Sequence, residues 1–126
     1  MALPAALDLV GDLRSPSRAR NFVTAELSGL VTPDQLDHAV LIVSELVTNA
    51  VLHTGTPCTV ELLDGGEVLQ LRVRDGGTML PLRRLSPSST MSTGRGLQLL
   101  ERVAVRWGVE RVPHEGKVVW AELRWS

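Results

Sequence analysis

The chain contains a single cysteine, Cys58, among its 126 residues. One thiol excludes an internal disulfide and a metal site built from several cysteines. Threonine and proline neighbours are typical of the start of a strand, so we expect no chemistry at Cys58. The net charge of −1 lacks the basic excess of a dedicated nucleic-acid binder. Direct nucleic-acid binding is therefore not expected.

Targeting signals and long hydrophobic runs are also missing from the sequence. Residues 1–6 lack the charged start and the long apolar run of a secretory signal. By composition, no segment approaches the roughly 20 apolar residues that span a bilayer. We therefore expect a cytoplasmic protein with no membrane partner. The length suits one domain, so residues 1–126 are predicted to form a single domain.

Hydrophobic periodicity predicts a mixture of helices and strands. Ser15 is predicted as the N-cap of the first helix, and Thr32 and Gln35 have the spacing of a capping box at the start of the second. The predicted elements are an edge strand at 6–10, helices at 15–29 and 32–53, strands at 59–62 and 69–75 around a turn at 64–66, a third helix from Leu97 to about Trp107, and strands at 109–112 and 118–125. Residues 76–93 form a long loop without periodicity, which in a compact domain is usually functional. The pattern predicts an α+β fold: a two-layer sandwich with a mixed, mostly antiparallel sheet and about three helices on one face.

The second predicted helix carries Glu45, Asn49 and His53 at intervals of four residues, within an otherwise aliphatic sequence. We call these three residues the polar stripe. A carboxylate among aliphatic neighbours must be paired, bound to a metal or functional. The alternative is a stripe that faces solvent and merely has apolar edges. For His53 two interpretations stay open: contact with a ligand, or a position near the negative end of the helix dipole, which the sequence slightly favours.

Two glycine-containing motifs accompany the polar stripe. Alternation in the strand at 69–75 places Asp75 on the apolar side, and Gly76 and Gly77 follow it, where the lack of side chains lets a ligand approach the backbone. The alternative is an ordinary Asp-Gly-Gly turn. Further along, residues 94–97 (Gly-Arg-Gly-Leu) open the third predicted helix, whose first amides can bind an anion. Each motif is weak alone, and their order and spacing give them weight.

In combination, these motifs resemble those of the Bergerat-fold (GHKL) ATP-binding proteins, shared by gyrase, heat-shock chaperone, histidine kinases and mismatch-repair ATPases. The sequence is most similar to the anti-sigma-factor serine/threonine kinases of Gram-positive bacteria and actinomycetes. Residues 45–51 resemble the N box of that branch, residues 73–77 its G1 box and residues 94–97 its G2 box. Residues 106–108 and 116–120 also resemble this branch. The resemblance extends over nearly the whole chain from residue 7.

The resemblance implies an ATP site with Mg²⁺. Asn49 is expected to coordinate the metal, Asp75 to accept a hydrogen bond from the adenine amino group, and Glu45 to act as the catalytic general base. Residues 78–93 correspond to the ATP lid. The residues expected to contact the nucleotide are Asn49, Asp75, Gly77, Gly94, Arg95, Gly96 and Leu97.

The chain departs from the family pattern at two places. Met79 stands where the fuller G1 pattern has another glycine. A threonine near the start of the last strand often supports the adenine-binding aspartate, but Lys117 and Val118 stand here and neither has a hydroxyl.

The function implied by the resemblance is that of a protein serine kinase that binds a sigma factor and phosphorylates an anti-anti-sigma antagonist. A homodimer is compatible with this role. The first alternative is a non-catalytic, ATP-dependent switch that sequesters a protein partner, and the presence of Glu45 favours the kinase over it. The second is the catalytic fragment of a histidine kinase. Against it, the chain has three histidines, and none lies on a helix outside the predicted domain.

Overall fold

A computed structural model of the protein describes residues 3–77, 98, 100–113 and 115–125. Its elements, in chain order, are β1 (Ala5–Leu9), α1 (Ser15–Leu27), α2 (Pro33–His53), β2 (Cys58–Asp64), β3 (Val68–Asp75), β4 (Arg106–Val112) and β5 (Gly116–Arg124). The strands form one sheet in the order β1-β2-β3-β5-β4. Every pairing in this sheet is antiparallel. The predicted α+β fold and the edge position of β1 are confirmed.

Alternation along the strands gives the sheet one apolar face. Directly opposed residues of antiparallel strands lie on the same face, so Val60, Val73 and Val119 form one buried row across β2, β3 and β5. The next two rows, built mainly from leucine, repeat the pattern on the same face. The opposite face carries ion pairs such as Arg106–Glu122. Among the described residues, the helices pack on the apolar face of the sheet.

The two long helices begin in different ways. Thr32 caps α2: its hydroxyl accepts from the Gln35 backbone N–H at 3.1 Å, and the Gln35 side chain accepts from the Thr32 N–H at 2.9 Å. The predicted capping box is confirmed. The prediction for Ser15 is wrong, because Arg14 occupies the N-cap position of α1. The Ser15 hydroxyl instead donates to the Val10 carbonyl and is buried.

Helix α2 is the central helix of the core. Its aliphatic side packs against α1 and against β2, β3 and β5, while Leu41 and Leu52 lie on an exposed side. By length and composition α2 could cross a membrane, contrary to the prediction that no segment comes close. Half of its apolar stretch is buried within the protein, and the core helix of a soluble protein has the same composition.

The third helix ends earlier than predicted. Among the described residues, 98 and 100–103 are helical, and Leu100 is fully buried in the core. The chain leaves the helix after Val103, and the Val105 N–H donates to the Glu122 carbonyl at 2.7 Å. Trp107 therefore belongs to β4 rather than to the helix. Valines in this stretch favour a strand. Hydrogen bonding to β5 stabilises the strand over a continued helix.

Candidate functional site

One end of the sheet carries buried polar groups on the helix-covered face. Cys58 lies opposite Asp75, and Asp75 lies opposite Lys117. These three side chains, which we call the polar row, continue the aliphatic rows beneath α2. Asp75 is 5% exposed and Lys117 is 7% exposed. The predicted inward orientation of Asp75 is confirmed.

Asp75 and Lys117 form a buried ion pair. Lys117 Nζ donates to Asp75 Oδ1 at 2.8 Å, and the Gly77 backbone N–H donates to the same oxygen at 2.7 Å. Within the part of the chain that the structure describes, no residue donates to Asp75 Oδ2. The carboxylate is thus held through one oxygen, and its second oxygen is able to accept a hydrogen bond from a ligand.

Two glycines let the backbone approach this ion pair closely. A Cβ atom on Gly77 would lie 3.0 Å from both Asp75 Oδ1 and Lys117 Nζ, and 2.2 Å from the Thr54 methyl carbon. Gly116 has φ +115°, and a Cβ there would lie 1.9 Å from the Asp75 carbonyl oxygen. A side chain at either position would collide with these groups, so the close approach requires glycine at both positions.

A chain of hydroxyl groups links the end of α2 to the turn after Asp75. Thr54 Oγ1 donates to the Ala50 carbonyl at 2.7 Å, so its only proton is used. Thr56 Oγ1 must then be the donor to Thr54 Oγ1 over 2.8 Å, and it accepts from the Gly76 N–H at 3.1 Å. These bonds fix the C-terminal end of α2 beside Gly76 and Gly77. The polar stripe and the polar row are thereby held at the same end of the sheet.

The polar stripe lies mainly inside the protein. Glu45 and Asn49 are each 8% exposed, and His53 is partly buried. This burial excludes the alternative of a solvent-facing stripe with apolar edges. The amide oxygen of Asn49 is a ligand type that suits a hard cation such as Mg²⁺.

Cys58 reports on the electrostatics of the polar row. Burial raises the pKa of its thiol to about 11, and the adjacent Asp75 carboxylate contributes to the increase. The thiol is therefore protonated at neutral pH and is a poor nucleophile. This agrees with the expectation that Cys58 has no chemistry of its own.

The raised pKa of Cys58 has a consequence for stability. Because the folded thiol keeps its proton between its usual pKa of 9.0 and about 11, the folded state binds more protons there and stability falls as pH rises through this window. We expect urea midpoints of wild type to decrease more between pH 9 and pH 11 than those of Cys58→Ala. Parallel pH dependences for the two proteins would contradict the assignment.

Several predicted site residues lie outside the described part of the chain. They are residues 78–93, Gly94, Arg95, Gly96 and Leu97, and their roles remain predictions. Met79 also lies there, so the effect of its departure from the family pattern is not tested. Within residues 3–77 and the later described ranges, no three His, Cys, Asp or Glu side chains lie close enough to hold a metal by themselves. A magnesium site at Asn49 would therefore complete its coordination with phosphate oxygens and water, as Mg²⁺ commonly does.

A cavity of about 430 Å³ lies elsewhere, between the N-terminal turns of α2 and the end of β5, and its lining includes Gln35, His38, Arg102 and Arg124. Leu123, which also lines it, pairs with Leu69 near the Asp64–Gly66 turn, at the end of the sheet opposite Asp75. Both arginines are exposed. Charges that water already solvates are weaker indicators of a site than buried ones, so we place the candidate site at the polar row.

Periodicity did not predict three contributors to this site: Lys117, Thr54 and Thr56. For Lys117 the available signal was its position near the start of the last strand, where the family that the chain resembles often has a threonine that supports the aspartate. For Thr54 and Thr56 the signal was a pair of hydroxyls between a helix end and a glycine turn. Lys117 contacts Asp75 across 42 residues and Thr56 contacts Gly76 across 20 residues, so local sequence did not specify these two contacts.

Comparison with solved structures finds the same fold in known proteins. The histidine kinase domain of the Erythrobacter litoralis EL346 blue-light activated histidine kinase has a similar structure, with a TM-score of 0.59 at 20% identity over 93% of this chain and 61% of that one. A longer structure of the same kinase has a TM-score of 0.60 at 22% identity over 94% of this chain and 42% of that one. The chain therefore spans less than two thirds of either protein. These similarities concern the fold.

A search of curated proteins by sequence found no match. The profile of the family described as "Histidine kinase-like ATPase domain" matches residues 9–123. This match covers nearly the whole chain, including the polar stripe and the polar row. It implies ATP binding, typically with Mg²⁺, and supports an ATP-dependent kinase or ATPase. The chain belongs to the histidine kinase-like ATPase domain family.

Proposed function

We propose that the protein is an anti-sigma factor with protein serine kinase activity. It binds ATP with Mg²⁺, binds a sigma factor, and transfers the γ-phosphate to a serine of an anti-anti-sigma antagonist. The observation that carries the proposal is the burial of Glu45 one helical turn from Asn49, on the helix that packs over Asp75. A protein that only binds nucleotide has no need of a buried carboxylate beside its metal-binding amide.

Each residue has a separate role in this proposal. Asp75 accepts from the adenine amino group through Oδ2, and Asn49 would hold Mg²⁺ through its amide oxygen. Bound Mg²⁺ supplies charge neutralisation at the phosphates. Glu45 takes the proton of the attacking serine hydroxyl. The serine oxygen bonds to the γ-phosphorus while the bond from phosphorus to ADP breaks and ADP leaves. Phosphoserine is formed in the antagonist, and the proton on Glu45 is later lost to water.

Labelling tests the proposal. The protein is incubated with γ-labelled ATP, Mg²⁺ and antagonist proteins encoded near its gene, and the label is followed after acid treatment. We expect acid-stable label on the antagonist, because phosphoserine survives acid and phosphohistidine does not. Label that is lost in acid would support the histidine kinase alternative. Binding of ATP and of a sigma factor with no labelled antagonist would support the non-catalytic switch.

Replacement of Asn49 tests the magnesium role. We expect Asn49→Ala to weaken ATP binding in Mg²⁺ by about tenfold or more, because an oxygen ligand of the metal is lost, and to change binding little in EDTA. Calorimetry in the two buffers measures this difference. Asn21→Ala, on the exposed surface of α1, is the matched control. An equal loss in both buffers would indicate damage to α2 instead of a lost ligand.

A further inference from the structure

The strongest unexplained feature of the polar row is the ammonium group of Lys117. The side chain is 8% exposed, and its hydrogen bond to Asp75 Oδ1 uses one of three N–H donors. No other residue in the described ranges accepts from it. Buried charges normally satisfy their hydrogen-bonding groups. Two further N–H donors next to a carboxylate oxygen to which no described residue donates therefore indicate a ligand that offers an acceptor beside a donor.

We propose that Lys117 is a specificity-determining residue that donates a hydrogen bond to N1 of adenine. This inference rests on the proposed ATP-binding function and adds a second base contact to it. In adenine the exocyclic amino group, a donor, is adjacent to N1, an acceptor. Asp75 Oδ2 and Lys117 Nζ present the complementary acceptor and donor next to each other. The two residues thus bind two adjacent atoms of one base edge.

Asp75 has one carboxylate oxygen left for a base, because Oδ1 already accepts from Gly77 N–H and Lys117 Nζ. The edge of adenine, one amino donor beside the acceptor N1, matches that oxygen and one ammonium group. Guanine also has a donor beside an acceptor, N1–H next to O6, but it adds the 2-amino group as a second donor next to N1–H. With Oδ1 occupied, Asp75 has no second oxygen to accept from that amino group, so adenine is the better match.

Lys117 also stands near the position where the family that the chain resembles often has a threonine hydroxyl. A threonine hydroxyl holds the aspartate as a neutral group, whereas Lys117 adds a positive charge and a longer reach. Gly77 packs closely against the ammonium, because a Cβ there would lie 3.0 Å from Lys117 Nζ. The substitution therefore changes how the base is bound while keeping Asp75 hydrogen-bonded.

A nucleotide lacking one atom tests this inference. Binding of ATP and of 1-deaza-ATP, in which N1 is replaced by C–H, is measured by calorimetry with wild type and Lys117→Met. We expect wild type to bind 1-deaza-ATP roughly 10- to 100-fold more weakly than ATP, because a buried charged donor loses its acceptor. In Lys117→Met the two ligands should differ by less than about threefold, since the interacting partner is gone.

The outcomes separate this inference from the proposed function. Wild type that binds ATP and 1-deaza-ATP equally would overturn the role of Lys117 and leave the ATP site in place. Wild type that binds no ATP would overturn the proposed function itself. If Lys117→Met does not fold, the wild-type comparison of the two ligands still decides the question. Tighter binding of GTP than of ATP by wild type would overturn the adenine assignment.

Discussion

Replacing Asp75 with asparagine is expected to remove most ATP binding and also to destabilise the fold. The substitution exchanges a carboxylate acceptor for an amide, so we expect roughly 10- to 100-fold weaker ATP binding and loss of the preference for ATP over GTP. It also leaves the Lys117 ammonium buried without its counter-ion, which typically costs about 3–5 kcal/mol. Calorimetry and urea unfolding measure the two effects separately.

A double variant distinguishes the lost contact from the lost stability. Asp75→Asn combined with Lys117→Met removes both charges, so we expect most of the stability to return while ATP binding stays weak. Asp37→Asn makes the same chemical change at an exposed position on α2 and should alter neither property. Full ATP affinity in the double variant would exclude Asp75 from the base site.

Replacing Glu45 with glutamine is expected to lower phosphotransfer by about 10²–10⁴-fold, the usual contribution of a general base. Glutamine has nearly the same shape and cannot take a proton, so ATP binding should stay within about threefold of wild type. The rate of acid-stable labelling of the antagonist is the measurement. Glu67→Gln, at an exposed position after the β2–β3 turn, is the matched control.

The result for Glu45→Gln also decides between catalysis and switching. If the variant labels the antagonist at the wild-type rate, Glu45 is not the base and the burial of its carboxylate has a structural cause. If ATP binding is lost along with labelling, the residue acts in binding. Sigma-factor binding should be the same in wild type and variant, because the proposal assigns Glu45 to the chemical step alone.

Local chemistry in the sequence predicted much of the fold. Thr32 and Gln35 are three residues apart, and their mutual hydrogen bonds need nothing beyond the helix that they start. Alternation along β3 predicted the side on which Asp75 lies, because a strand has a period of two. Where tertiary contacts compete, prediction failed: Ser15 bonds to Val10 rather than capping α1. Likewise, pairing of Val105 with β5 ends the third helix early.

Local sequence predicted the part of the candidate site that lies on one helix, and did not predict the part that depends on tertiary contacts. Glu45 and Asn49 lie one turn apart on one helix, so their common face follows from helix geometry. The ion pair between Asp75 and Lys117 spans 42 residues of sequence and depends on β5 lying beside β3 in that register. Strand order and register are tertiary properties. A sequence can therefore show that a lysine replaces a threonine without showing which carboxylate it contacts.

The most direct test of the account is a titration of Mg·ATP into ¹⁵N-labelled protein, followed through backbone amide shifts. We expect saturable shifts at Asn49, Gly77 and Lys117, which lie at the polar-row end of the sheet. Gly65 and Gly66, in the turn at the opposite end, should not move. The absence of saturable shifts at millimolar ATP, or shifts centred on the cavity lined by Gln35 and Arg124, would contradict the account.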